Sequence, residues 1–297
     1  MRIFITGIYS FVGQELVKQC RVKGIECVGV DLIDVEAKDY FKVDIRSAQI
    51  ANFIPEGIDA VIHLAAMSRD GDCKNKAYVC FDSNVMGTLN LINASGQRKV
   101  KQFVFASTEW VYDSFNGNEV KDENSVVDIS KLTSEYALSK LVSENNLRQK
   151  FAHGFCPVTI LRFGIIYGSR ANNWSAVESI FNMVRTQPQV KVGSLKTGRC
   201  FIHVSDIAAG IISSLGLKDF HTINLQGNHL ITLGDIIKTS KQVLGLSPQV
   251  LESTPENVSI RRVLNQKAKE LLAWQPQVDL STGLTHLNAF LSEQNIK

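Results

Sequence analysis

The chain has 297 residues, 44% hydrophobic and 21% charged, with a formal net charge of +3. This suits one large soluble domain, or a domain with an appended lobe, and gives no reason to expect nucleic acid or an anionic membrane as partner. No apolar run is long enough to span a bilayer, MRIFITG lacks secretory-signal architecture, and six scattered cysteines without metal-ligand spacing lead us to expect a reduced, cytoplasmic setting and no metal.

Arg2 to Thr6 is a short apolar run and predicts a buried strand. Thr6 to Gly13 (TGIYSFVG) is a glycine turn, followed by the helical pattern QELVKQCRVKG, which Gly24 ends. Ile25 to Val30 predicts a second strand, with Asp31 at its C-terminal end. Strand, glycine turn, helix, strand and acid make the first half of a dinucleotide-binding fold. Gly7 and Gly13 let the backbone approach a pyrophosphate, whose charge is met by the helix N-terminus. Asp31 lies about 20 residues after the turn, where a carboxylate accepts the adenosine ribose hydroxyls. It would repel a 2′-phosphate, and Leu32-Ile33-Asp34 offers no arginine, so the expected cofactor is NAD.

Phe41 to Val43 predicts a third strand ending at Asp44-Ile45, and Ile58 to His63 a fourth leading into Leu64-Ala65-Ala66. His63, inside an apolar run, reads as a satisfied core histidine. Ser68, Arg69 and Asp70 follow strand four, where a substrate loop or a solvated turn would sit. Residues 75–97 read as one long helix carrying Asn84. Gln102 to Ala106 predicts the fifth strand, with Ser107-Thr108 at its end, and Val158 to Phe163 the sixth. In an open parallel sheet, ligands bind beyond the carboxyl ends of the strands. Gly7, Asp31, Ala65, Ser107 and Phe163 all fall at that edge. Later, 174–186, 205–215, 232–244 and 266–272 read as helices, and 190–204 and 221–225 hold strand-like segments.

Between strands five and six, DISKLTSEYALSKLVSENN reads as a helix, with Leu132, Tyr136 and Lys140 four apart on one face. A free tyrosine has a pKa near ~10, and a neighbouring ammonium lowers it. Such a phenol can move a proton to or from a hydroxyl while hydride moves to or from a nicotinamide. The spacing alone is common; its place beside a dinucleotide site gives it meaning.

TGxxxFxG, Asp31, Asp44-Ile45, HLAA, NVxGTxxLI, Ser107-Thr108 before Val111-Tyr112, YxxxK, LRxxxxYG and RxFIHVxDIA occur in that order. The chain resembles the extended short-chain dehydrogenase/reductase family, in its NAD-dependent epimerase/dehydratase branch, over nearly its whole length. The resemblance implies an α/β fold: a doubly wound parallel (Rossmann) sheet with a smaller C-terminal substrate lobe. Residues 1–165, continued by about 205–225, would bind NAD; residues 166–204 and 226–297 would form the lobe. It implies a nucleotide-sugar substrate, a role in polysaccharide biosynthesis, and a homodimer built on residues 75–97 and 130–150. Tyr136 matches the catalytic tyrosine, Lys140 its lysine and Thr108 the hydroxyl that holds the reacting oxygen. Gly7, Ser10, Phe11, Val12 and Gly13 match the pyrophosphate turn, Asp31 the ribose acid, and Asp44 and Ile45 the adenine contact. Leu64, Ala65, Ala66, Asn84 and Ser107 match cofactor-lining positions, and Phe163 one near the nicotinamide. Arg199 matches an arginine on the substrate's phosphates, and Ser68 stands where the substrate loop begins.

The chain departs from the pattern where Ser10 replaces the middle glycine, and at Asp113, Ile165 and Leu264. A second phosphate arginine has no clear match, although Arg261 and Arg262 are near. An epimerase needs Thr108, Tyr136, Lys140 and a retained NAD; a dehydrogenase or reductase needs the same residues and releases its cofactor. A 4,6-dehydratase needs further acid and base groups. Glu109 stands one position early for that, and strand or turn geometry is expected to point it elsewhere. A silent NAD-binding regulator is the reading from another class. With the resemblance, the expected reaction is oxidation at a sugar hydroxyl, at C4, by NAD.

Overall fold

The computed structural model describes residues 1–113, 115–117 and 119–294. The last three residues of the expected lobe, 295–297, lie outside the described residues. Seven strands form one parallel sheet: β1 (Arg2–Thr6), β2 (Glu26–Asp31), β3 (Tyr40–Lys42), β4 (Ala60–His63), β5 (Phe103–Thr108), β6 (Val158–Phe163) and β7 (Phe220–Leu225). Their spatial order is β7-β6-β5-β4-β1-β2-β3. The sheet grows one way from β1 to β3, then restarts on the other side at β4. Between β1 and β4 the crossovers diverge to opposite faces, and a crevice opens at the carboxyl ends.

A sheet covered on both faces needs strands that are apolar throughout, and these strands are. Ile3 and Ile5 of β1 face one side with Ile62, Val104 and Leu161. Phe4 faces the other with Val61, Phe103, Phe105 and Ile160. The longer helices, in chain order, are α1 (Phe11–Val22), α2 (Gly87–Gln97), α3 (Glu135–Ala152), α4 (Ala176–Thr186), α5 (Val204–Ser213), α6 (Leu233–Leu244), α7 (Gln266–Leu272) and α8 (Leu280–Gln294). Leu16 and Cys20 of α1 and Ile207 and Ile211 of α5 cover the first face. Leu91 and Ile92 of α2 and Leu147 of α3 cover the second.

A third apolar cluster lies apart from the sheet. Val177, Ile180 and Phe181 of α4, Ile236 and Ile237 of α6, and Leu284, Leu287 and Leu291 of α8 close on one another, with Tyr167 and Phe201. The strand-like VKV is real: Gln189–Val192 pairs in parallel with Gln249–Glu252. Asp206 ties this part to the sheet. Its carboxylate accepts from the Gln277 and Val278 amides, and its carbonyl from the Trp274 indole.

Three segments differ from the sequence expectation. Residues 75–97 are not one helix. Asn75 is left-handed (φ 60°), Ala77–Phe81 is α-helical, Asp82–Met86 is a single π turn, and α2 follows. The wider turn carries Asn84 inward, where its amide is fully bonded to neighbours. The helix with Tyr136 starts only at Glu135, because Ser134 caps it by accepting from the Ala137 amide. Leu132 therefore lies outside the helix and packs with Val111, Tyr112 and Leu141. Helix α8 was not expected, although Leu280, Leu284, Leu287 and Leu291 carry its period.

Leu284 is fully buried in the third cluster. Leu284→Ala should lower unfolding free energy by about 2–5 kcal/mol, read from urea denaturation. A change below about 1 kcal/mol would mean that α8 is not part of a cooperative core.

Candidate active site

The glycine turn is built by close approach. Gly7 has φ 71°, and a Cβ there would stand 2.9 Å from the Ala65 amide nitrogen. A Cβ on Gly13 would stand 2.4 Å from the Gly7 carbonyl oxygen, so only glycine lets α1 start this near the turn. Ser10 has an ordinary backbone (φ −64°, ψ 164°) and is the N-cap of α1. Its hydroxyl accepts from the Gly13 amide at 3.1 Å. The serine that replaces the middle glycine thus strains nothing and satisfies one of the helix's free donors. Phe11 and Val12 open α1 beside it, and the Arg170 guanidinium lies 4.5 Å from the Phe11 ring centroid.

Asp31 ends β2, and both carboxylate oxygens are aimed: the Tyr9 amide donates to one at 2.9 Å and the Leu32 amide to the other at 2.7 Å. A cavity of about 290 Å³ opens there. Gly7, Ser10, Asp31, Asp44, Ile45, Leu64, Ala65, Ala66 and Ser68 line it. Tyr9, Ile33, Val43, Arg46 and Ser83 also line it and were not expected from the sequence. Arg46 is held between Asp44 and Asp82, each at 2.6 Å, and the guanidinium holds the Asp44 carboxyl below the usual carboxylate range. Phe11, Val12 and Gly13 are not among its lining residues. The cavity offers the Gly7–Ser10 turn at the N-terminus of α1 for a pyrophosphate, a carboxylate for a ribose and apolar side chains for a base, so these residues fit the adenosine half of NAD. A larger cavity, about 360 Å³, lies by Leu89, Lys150, His153 and Phe155, and none of the expected site residues lines it.

The catalytic candidates meet at the same edge of the sheet. Thr108 is the last residue of β5, with its hydroxyl accepting from the Trp110 amide. Tyr136 and Lys140 come from the first turns of α3 and are nearly buried. Lys140 Nζ donates to the Ala106 carbonyl at 2.9 Å and lies 4.8 Å from the Phe105 ring centroid. Burial pushes the Lys140 ammonium down to about 8. Burial also pushes the Tyr136 phenol up, and the Thr108 hydroxyl pulls it partly back. In the protein alone, then, burial outweighs the lowering expected of Lys140. The buried thiols of Cys73 and Cys80 pack against Tyr136, a contact with no signal in the sequence.

Several expected cofactor-lining side chains turn inward instead. Asn84 accepts from the Met67 amide at 2.8 Å and donates to the Met67 carbonyl and the Ser139 hydroxyl, each at 3.0 Å. It fixes the loop after β4 against α3. Ser107 donates to Glu144, whose carboxylate also receives Arg162 Nε at 3.0 Å and Nη2 at 2.6 Å. The Phe163 ring packs in the main core. Arg199 spends three donors on Gly198 and Ser259 and has two left. Of Arg261 and Arg262, Arg261 is the one that lies beside the turn after β5. It pairs with Asp113 at 3.1 Å and stands 5.2 Å from the Trp110 ring centroid. Trp174 packs at the edge of the third cluster, and His203 caps α5.

His63 joins β4 to β1 and to the start of α2. Its Nδ1 meets the Thr6 hydroxyl at 2.8 Å and its Nε2 the Thr88 hydroxyl at 2.9 Å. Thr88 already donates to the Asn84 carbonyl, so Nε2 carries the proton. Burial pushes the imidazole down to about 3. Among the described residues, no group of His, Cys, Asp and Glu is placed to hold a metal, and no helix is long and apolar enough to cross a membrane.

Residues 3–225 match the NAD dependent epimerase/dehydratase family. The chain belongs to that family. It is 27% identical to UDP-glucuronate 4-epimerase of Thermodesulfobacterium geofontis, over 94% of this chain and 93% of that one. It is 25% identical to a putative UDP-glucose 4-epimerase of Methanocaldococcus jannaschii, over 99% of each. Among solved structures, the UDP-glucose 4-epimerase of Thermotoga maritima with UDP-glucose superposes with TM-score 0.86 at 23% identity, over 99% of this chain and 100% of that one. As a member of this family, the chain is an NAD-dependent enzyme with a nucleotide sugar as its class of substrate.

One consequence of the buried imidazole can be measured. Its folded pKa lies below its unfolded value near ~6.5, so the unfolded chain takes the proton first as pH falls. His63 therefore removes stability progressively from pH 6.5 toward pH 3. Melting temperature between pH 7 and pH 4 should fall less steeply for His63→Gln than for the wild type; equal slopes would mean that His63 titrates normally.

Proposed function

We propose that this enzyme is an NAD-dependent 4-epimerase of a UDP-hexose. The observation that carries the reading is the meeting of Thr108, Tyr136 and Lys140 at the carboxyl edge of the sheet; Met67, which lines the cavity bounded by Gly7 and Asp31, packs against the cluster of Tyr136, Cys73 and Cys80. The names of both curated relatives given above support a UDP-sugar 4-epimerase, and that of the Methanocaldococcus jannaschii protein, a putative UDP-glucose 4-epimerase, supports the hexose. Gly7, Ser10 and Gly13 hold the pyrophosphate, Asp31 the adenosine ribose, Asp44 and Ile45 the adenine, and Lys140 the nicotinamide ribose. NAD supplies, when bound, the hydride acceptor and donor and a positively charged ring. Tyr136 Oη takes the proton from the C4 hydroxyl and later returns it. Thr108 Oγ1 holds the C4 oxygen while it is a carbonyl and passes its hydrogen bond to and from the phenol. Lys140, pinned by Ala106, keeps a cation one helical turn from Tyr136. Arg199 and Arg261 hold the diphosphate.

We take residues 1–165 with 205–225 as the cofactor lobe, and 166–204 with 226–297 as the substrate lobe; the separate cluster around Phe181 and Leu284 supports this division. The expected homodimer would use the exposed Tyr78, Val79 and Met86 of the interrupted helix. Six free cysteines suit the cytoplasm.

Native mass spectrometry should find NAD(H) retained at near one per subunit, in dimers. An empty protein that binds NAD weakly would favour a dehydrogenase or reductase instead. Tyr136→Phe should lower turnover of UDP-glucose about 10²–10⁴-fold with NAD binding nearly unchanged. Normal turnover in that variant would sink the mechanism.

A further inference from the structure

Glu109 is the group that the mechanism leaves without a task. It follows Thr108 directly and opens the short turn Glu109–Tyr112. It is 2% exposed, and its Oε1 has no partner. With the Gln226 amide oriented to suit its neighbours, Gln226 donates to Oε2 at 2.8 Å and accepts from the Gly164 amide at 3.1 Å. Gly164 follows β6 and Gln226 follows β7, so the carboxyl lies at the ligand edge of the sheet. The burial matches that of Thr108 and Tyr136, at 5% and 9%, which touch the substrate in the proposed reaction. Arg199 and Arg261 act on it from the diphosphate side. The Cys200 thiol is the other titratable group that feels it, and burial pushes that thiol up.

The carboxyl is thus one residue along the chain from Thr108 and within electrostatic reach of Arg199 and Arg261, the arginines proposed for the diphosphate. A sugar held by its diphosphate at one end and its C4 oxygen at the other would bring its hydroxyls toward this carboxyl. A buried carboxyl oxygen without a partner is costly, and a ligand hydroxyl would relieve it. We propose that Glu109 selects the sugar by charge: its free oxygen receives a hydroxyl of a neutral hexose, and it turns away a hexuronate.

The two guanidiniums do not reverse this. A diphosphate's two negative charges offset them, and Asp113 already pairs with Arg261. What remains for a uronate carboxylate is the like charge of Glu109 in a buried site, where repulsion is strong. Burial pushes Glu109 up to about 7, so the selection weakens as the pH falls below that value. The inference rests on the UDP-hexose reading above.

The test is calorimetric binding of UDP, UDP-glucose and UDP-glucuronate to the NAD-loaded enzyme at pH 8 and pH 6. The wild type should bind UDP-glucose at least about tenfold more tightly than UDP-glucuronate at pH 8, with a smaller gap at pH 6. Glu109→Gln should shrink the gap at pH 8 by about tenfold. Equal affinities in the wild type at pH 8, or an unchanged gap in Glu109→Gln, would overturn the proposal. If that variant does not fold, a wild-type gap that ignores pH overturns it. UDP binding without discrimination between sugars sinks only the selection by charge; failure of UDP itself to bind removes the UDP-hexose reading beneath it.

Discussion

Glu144 lies one turn after Lys140 on α3, and its carboxylate is shared between Ser107 at the end of β5 and Arg162 in β6. Arg162 reaches on to the Tyr112 hydroxyl, which donates to Asn224 in β7. One buried ion pair thus ties three neighbouring strands to the helix that presents Tyr136. The proposed chemistry needs Thr108 from a strand and Tyr136 from a helix within reach of one oxygen, and this network sets their spacing. A buried charge pair adds little net stability over an apolar substitute, but losing one partner strands the other at a cost of about 3–5 kcal/mol. Its value here is geometric: the pair has one good arrangement, and that arrangement aligns the site.

Asn84 plays the same part on the other bank. The π turn brings its amide inward, where it clamps Met67 and reaches Ser139 of α3. The loop that lines the cofactor cavity and the helix that carries Tyr136 are therefore locked to each other. His63 extends the lock to β1 through Thr6. The polar side chains that surround the site mostly hold the backbone still, and few of them face the cavity.

This division explains what could be read in the sequence. The strands were legible because both faces are buried, so each is a continuous apolar run. The glycine turn was legible because backbone clearance demands glycine at positions 7 and 13, and the place of Asp31 because it ends the second apolar run. The π turn at Asp82–Met86 was not, since one added residue leaves the apolar period nearly intact. The pairing of Glu144 with Arg162 was not, because it joins residues 18 apart in sequence through the fold alone. Strand or turn geometry was expected to point Glu109 elsewhere; the chain leaves the strand at Thr108, and Glu109 opens the turn that follows. Arg261 could not be chosen over Arg262 without knowing which side chain faces Trp110. Helix α8 had its leucine period in plain view at Leu280, Leu284, Leu287 and Leu291.

Asp31 receives the Tyr9 and Leu32 amides before any ligand arrives. The orientation of its carboxylate is thus a product of folding, and the rotamer freedom it would lose on association is already gone. Its remaining lone pairs are free for the ribose that we propose it holds. Tyr9 belongs to the same tight turn as Gly7 and Ser10, so the proposed contacts to the pyrophosphate and to the adenosine ribose are mechanically one part. Loosening the turn anywhere between Gly7 and Gly13 would blur the aim of a carboxylate on the next strand, and discrimination between the two nicotinamide cofactors would decay before the fold did.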